Sequence, residues 1–189
     1  MLSKLGCAIF NIKEKRKFQL CISSFNYWNH RFYGHEYISI EDRVWIGEGS
    51  WIVAKQISGT KPTMVLSRDA SIGRFAHIYI TGKLIIGRGA LIAEKVYISD
   101  NLHGFEDITM PIKEQPLRQL KEVTIGEGSW IGENVCIIGA SVGKNSVVGA
   151  NSVVTHDIPD YCVAVGAPAR VIKRYDFDLK QWTKVEIDK

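Results

Sequence analysis

Aliphatic residues recur at every sixth position through most of this 189-residue chain, and that spacing constrains the fold more than any other feature. Ile40, Ile46 and Ile52 are six apart, and so are Leu66, Ile72, Ile78 and Leu84. The frame slips by two, and Ile86, Ile92 and Ile98 follow at six. After an interruption come Ile125, Ile131 and Ile137; one five-residue step leads to Val142, with Val148 and Val154 beyond it at six. Many of these are followed directly by Gly, as in Ile46-Gly47, Ile72-Gly73, Ile131-Gly132 and Val148-Gly149. A period of six matches neither the amphipathic helix nor the simple alternating strand. It matches a coil of short strands joined by tight turns, with one inward aliphatic per unit stacked on its equivalent one coil on. Three units, about 18 residues, make a triangular coil, and because no coil buries its own core, coils must stack into a solenoid. Each inward side chain contributes roughly 1.5–3 kcal/mol, so the register is strongly specified. The Gly after it is expected to relieve steric conflict at a bend.

This predicts an all-β solenoid over residues 38–174, interrupted by an inserted loop at 99–122. Residues 1–37, with Phe25, Tyr27, Trp28, Phe32 and Tyr33 at no clean period, are expected to cap the first coil, with some helix near Lys13–Cys21. Residues 175–189 are expected to pack Trp182 and Val185 back as a second cap. The short step between Ile137 and Val142 predicts a bulge or flattened corner.

Composition enters here as exclusion. Hydrophobic residues make up 46% and charged residues 23%, which is globular rather than disordered. The net charge of +4 is mild, and no basic face is large enough for a nucleic-acid function. No apolar run approaches the roughly 20 residues of a membrane span. The N-terminal apolar patch precedes its basic cluster, the reverse of a secretory signal, so a cytoplasmic location is expected. Cys7, Cys21, Cys136 and Cys162 are scattered without a CxxC pair and read as reduced thiols.

The interruption begins at Ser99-Asp100-Asn101-Leu102-His103-Gly104 and carries Glu106, Asp107 and two prolines. Loops carry function more often than scaffolds do. His103 lies just past a coil corner, Gly104 lets backbone approach closely, and the carboxylates of Asp100 and Glu106 are placed to hold one tautomer. Imidazole titrates near ~6.5, which suits a general base at neutral pH. No Ser or Cys sits in a recognisable nucleophile setting, so direct transfer is expected rather than an acyl-enzyme.

The repeat resembles that of the hexapeptide-repeat family, whose fold is the left-handed parallel β-helix. "ISDNLHG", "PIKEQP" and the run from "VTIGEGSWIGENVCIIGASVG" to "VGAPARVIKRY" resemble the sugar O-acetyltransferases of that fold, nearest to enzymes that decorate cell-surface polysaccharides. The resemblance implies a homotrimer with each active site in a cleft between neighbouring coils. It implies acetyl-CoA as donor, a saccharide as acceptor and His103 as the base that takes the acceptor's proton. Many of these enzymes have a second His where Asn101 stands. The resemblance also implies CoA contacts from Trp130, Gly132, Ala150, Thr155, His156 (often Lys in the family), Pro168, Arg170 and Lys173.

The competing readings are acetylation of an antibiotic hydroxyl, serine or a sugar amine on the same fold, and a non-catalytic scaffold. A metal enzyme of this fold holds zinc with a close His pair plus a third His from a neighbour. His77, His103 and His156 are far apart in the sequence, so no metal is expected. His77 is read as a turn residue, and Tyr79, Tyr97 and Phe105 as candidates to line the acceptor pocket.

Overall fold

The computed structural model describes residues 15–21, 30–57 and 59–185. Its strands stack into three faces, traversed in turn. The first face orders Leu20–Cys21, Ile38–Ile40, Thr63–Leu66, Lys83–Ile86 and Val123–Ile125. The second begins at Trp45–Ile46 and continues through Trp130–Ile131 and Val147–Val148 to Cys162–Gly166, Ala169–Asp176 and Gln181–Lys184. The third orders Arg31–Tyr33, Trp51–Ala54, His77–Ile80, Tyr97–Ser99, Cys136–Ile138 and Val153–Val154. Coil-to-coil pairing is parallel and in register. The chain is a left-handed parallel β-helix.

The six-residue period becomes stacked inward rows. Ile40, Leu66, Ile86 and Ile125 align on the first face. Ile52, Ile78, Ile98, Ile137 and Val154 align on the third, and all of these are fully buried. The slip of two has a simple cause: Leu84 and Ile86 both point inward from one strand, whose side chains alternate with period two.

The Gly after each aliphatic serves the stacking and not the bend. A Cβ on Gly132 would lie 2.6 Å from the backbone N of Ala150 in the next coil. The left-handed backbone falls two residues later, at Gly49, Phe75, Asn134 and Asn151. The five-residue step changes both the corner and the first face beyond it. Gly139 takes φ 57°, and the first face narrows to single bridges joining Ile125, Val142 and Ile158.

Both ends differ from the expected caps. Of the expected helix, Lys15 is helical, whereas Leu20–Cys21 pairs with Ser39 and Ile40 as a strand; residues 13 and 14, with Phe25, Tyr27 and Trp28, lie outside the described residues. Phe32 extends the third face against Ile52. At the other end the chain turns antiparallel along the second face. Trp182 is exposed and edges onto Tyr175 instead of closing the last coil. The division expected at 174/175 falls inside the strand Ala169–Asp176.

Candidate active site

The insertion leaves the coil where the third face turns towards the first. It forms an antiparallel arm, in which Asn101, Leu102 and His103 pair with Gln119, Arg118 and Leu117. Asp100 fixes its root. This fully buried carboxylate accepts hydrogen bonds from Thr81 N (2.7 Å), Gly82 N (2.7 Å), Thr81 Oγ1 (3.2 Å) and Asn101 Nδ2 (3.0 Å). Asn101 also donates to the Tyr79 carbonyl and is itself buried. Glu106 ties the two arm strands through Arg118 at 2.6 Å and accepts the Phe105 amide at 3.0 Å. The Phe105 amide above all, with Arg118 adding, holds its carboxyl below the usual range.

Both carboxylates expected to orient His103 are therefore engaged elsewhere. Among the described residues, none donates to or accepts from the His103 ring. Asp100 and Glu106 instead brace the arm on which His103 sits.

His103 is exposed at the rim of a cavity of about 490 Å³ whose walls include Lys55, His77, Tyr79, Tyr97, Leu117 and Ile138. His77 and His103, distant in sequence, thus share one cavity. His77 stacks flat on Trp51, with centroids 4.6 Å apart and planes within 3°. Among the described residues its buried Nε2 has no hydrogen-bond partner, and burial lowers its pKa. Tyr79 and Tyr97 line this cavity, whereas Phe105 lies outside its wall. Lys55 was not foreseen, and His77, expected in a turn, instead opens the strand His77–Ile80. The repeat itself held the signal, since Trp51, His77 and Tyr97 each immediately precede an inward Ile and so fall in one outward row.

Ile138 is also a wall of a second cavity, of about 430 Å³, with Arg118, Lys121, Gly139, Thr155 and His156. Thr155 Oγ1 and His156 Nδ1 are 3.0 Å apart. The remaining expected CoA residues lie elsewhere. Gly132 and Ala150 occupy turns that lead into the third face. Trp130, half exposed, lies on the second face in one row with Val147, Val163 and Lys173. Pro168 occupies the turn before the strand carrying Arg170 and Lys173. Both cations are exposed and, among the described residues, have no acidic partner. Such uncompensated charges fit phosphate. One chain therefore brings His103, Thr155 and His156 to one edge of the third face and leaves the other candidates beyond its opposite edge.

Among the described residues, no group of three or more His, Cys, Asp or Glu is placed to hold a metal, and no helix is long and apolar enough to cross a membrane. Cys162 is buried, Cys21 and Cys136 are half-buried, and Cys7 lies outside the described residues.

Residues 122–156 match the family described as "Hexapeptide repeat of succinyl-transferase". The chain is 38% identical over 125 residues to the Escherichia coli K12 protein WbbJ, named for O-acetyl transfer in lipopolysaccharide biosynthesis; the match covers 62% of this chain and 64% of that protein. It is 41% identical over 111 residues to a Mycobacterium tuberculosis protein named as a probable acetyltransferase, covering 58% of this chain and 35% of that one. The chain thus spans less than two thirds of the length of these relatives. In structure it resembles a serine-to-cysteine mutant of AntD, an N-acyltransferase from Bacillus cereus in complex with dTDP-4-amino-4,6-dideoxyglucose and coenzyme A. That likeness has TM-score 0.67 and 19% identity, covering 80% of each chain. It also resembles the polysialic acid O-acetyltransferase OatWY, with TM-score 0.60 and 23% identity, covering 77% of this chain and 67% of that one.

Proposed function

We propose that this chain, a hexapeptide-repeat protein built as a left-handed β-helix, transfers an acetyl group from acetyl-CoA to a saccharide hydroxyl, with His103 as general base. The observation that carries the reading is the placement of His103: on an anchored arm, at the rim of a cavity that meets, across Ile138, a second cavity lined by Thr155 and His156. The relatives named as acetyltransferases support the reaction class, and the names of WbbJ and OatWY support a saccharide acceptor in polysaccharide or lipopolysaccharide synthesis. The coenzyme A held by AntD supports an acyl-CoA donor.

The chemistry balances without a further reagent. An imidazole nitrogen of His103 takes the proton of the acceptor hydroxyl as its oxygen attacks the thioester carbonyl. The tetrahedral intermediate collapses, the C–S bond breaks, and the CoA thiolate leaves with the proton that His103 held. A positioned base contributes about 10²–10⁴-fold. Arg170 and Lys173 are the cations for the nucleotide phosphates, and Trp130, Gly132, Ala150 and Pro168 line the path of the donor.

A homotrimer completes this site. The expected donor contacts lie on opposite edges of the third face, so the second edge comes from a neighbouring copy. The arm tip supports the same reading, because Phe105, Ile108, Met110 and Ile112 are exposed and Ile108 is 96% exposed. A cluster of this kind suits burial against a partner. The test is thiol release from acetyl-CoA with a panel of saccharides, amino sugars and chloramphenicol-like alcohols. Release dependent on a saccharide hydroxyl is expected; release only with an amine or an antibiotic overturns the acceptor, and no release with any acceptor overturns the activity.

A further inference from the structure

We infer that the acceptor is an oligosaccharide that crosses the third face, packed against the exposed surfaces of Trp51 and Phe75 and past His77, and presents one hydroxyl to His103. The inference rests on the proposed reaction only for the reactive end; the binding surface stands on its own geometry.

Next to the His103 cavity lies a larger one, of about 780 Å³, with Arg31, Glu48, Trp51, Phe75 and His77 in its wall. His77 lines both cavities, so they form one path across the outward row of the third face. Along that row Trp51 and His77 stack flat at 4.6 Å, and Tyr97 meets His77 edge-on at 5.2 Å. Trp51 stays 45% exposed and Phe75 56% exposed. Broad, open aromatic surface of this kind is costly to leave in water and favours a ligand with a flat apolar side. The pyranose ring has such a side in its axial C–H groups, with hydroxyls around its rim.

The charges along the path favour sugars over a nucleotide. A nucleotide sugar stacked on Trp51 would carry its diphosphate across His77, Tyr79 and Tyr97 to reach His103. Those surfaces are aromatic, and burial favours the neutral form of His77. Among the described residues, Lys55 is the one Lys or Arg in the wall around His103. At the far end Arg31 is accompanied by Glu48, a mixed pair suited to hydroxyls. The length of the path argues for more than one ring. Two joined cavities of this size each exceed what one monosaccharide fills, and only one hydroxyl is needed at His103.

The test uses the full chain, fluorescently labelled, on an array of bacterial oligosaccharides together with their component monosaccharides, and equilibrium dialysis against UDP- and dTDP-sugars. The expected result is retention on one class of oligosaccharide and not on its monosaccharides. Trp51→Ala should weaken that binding about tenfold or more, and Trp51→Phe should restore most of it. Oligosaccharide binding without thiol release would sink the proposed reaction and leave this surface standing. Binding only to nucleotide sugars overturns the inference, as does binding to no glycan. It is also overturned if Trp51→Ala leaves glycan binding unchanged, or if light scattering shows that Trp51→Ala abolishes assembly, which would make a second copy the occupant of this face.

Discussion

Burial lowers the pKa of the His77 imidazole. The groups against it are aromatic: Trp51 on its face, with Tyr79 and Tyr97 at its edges. The sign of the pH effect follows. With the folded value below the unfolded value near 6.5, the unfolded chain binds the proton first as pH falls. The contribution of His77 to stability is full above about pH 6.5 and declines below it. An NMR titration should give His77 a midpoint below 6.5, and His77→Phe should remove part of the acid-side loss of stability; a midpoint at or above 6.5 would contradict this burial. His77 also marks what a linear reading misses. Its partner Trp51 is one coil away, so the pair is visible only when the units are laid over one another.

At the scale of the element, the arm is held by its root. Asp100 and His103 are three residues apart, and that cluster was legible. The direction of the carboxylate was not, because its partners Thr81 and Gly82 lie 19 and 18 residues back, in the preceding coil. Removing Asp100 leaves two buried backbone amides without acceptors. Asp100→Ala should therefore lose about 2–4 kcal/mol, measured as a lower urea midpoint with an unchanged slope. Amide exchange should also quicken at Leu120, whose N–H donates to the Asp100 carbonyl. Unchanged stability would show that the arm is anchored elsewhere. Boundaries were less legible than periods, for the same reason. Neither end of the chain keeps the six-residue rhythm, and Leu20–Cys21 and Ala169–Asp176 become strands because a coil edge offers unpaired backbone groups.

For the whole molecule, the repeat made the solenoid legible almost in full, since each inward residue repeats one decision about burial. The site was legible in part. His103, Thr155 and His156 converge on neighbouring cavities, whereas Trp130, Arg170 and Lys173 face another direction. No sequence pattern states which edge of a coil meets which edge of a neighbour. If copies assemble through the arm, Ile108→Glu should convert a trimer to a monomer in light scattering, while the fold of each copy persists. A wild-type monomer, or a variant that remains trimeric, would contradict this assembly.

The most direct measurement of the central claim compares the wild-type chain with His103→Ala, following thiol release from acetyl-CoA with a saccharide acceptor and CoA binding by calorimetry. His103 is exposed, and its ring makes no hydrogen bond among the described residues, so its removal should leave the fold and CoA affinity unchanged. Turnover should fall by about 10²-fold or more. Wild-type turnover in His103→Ala would mean that the base lies elsewhere and that the arm serves another purpose.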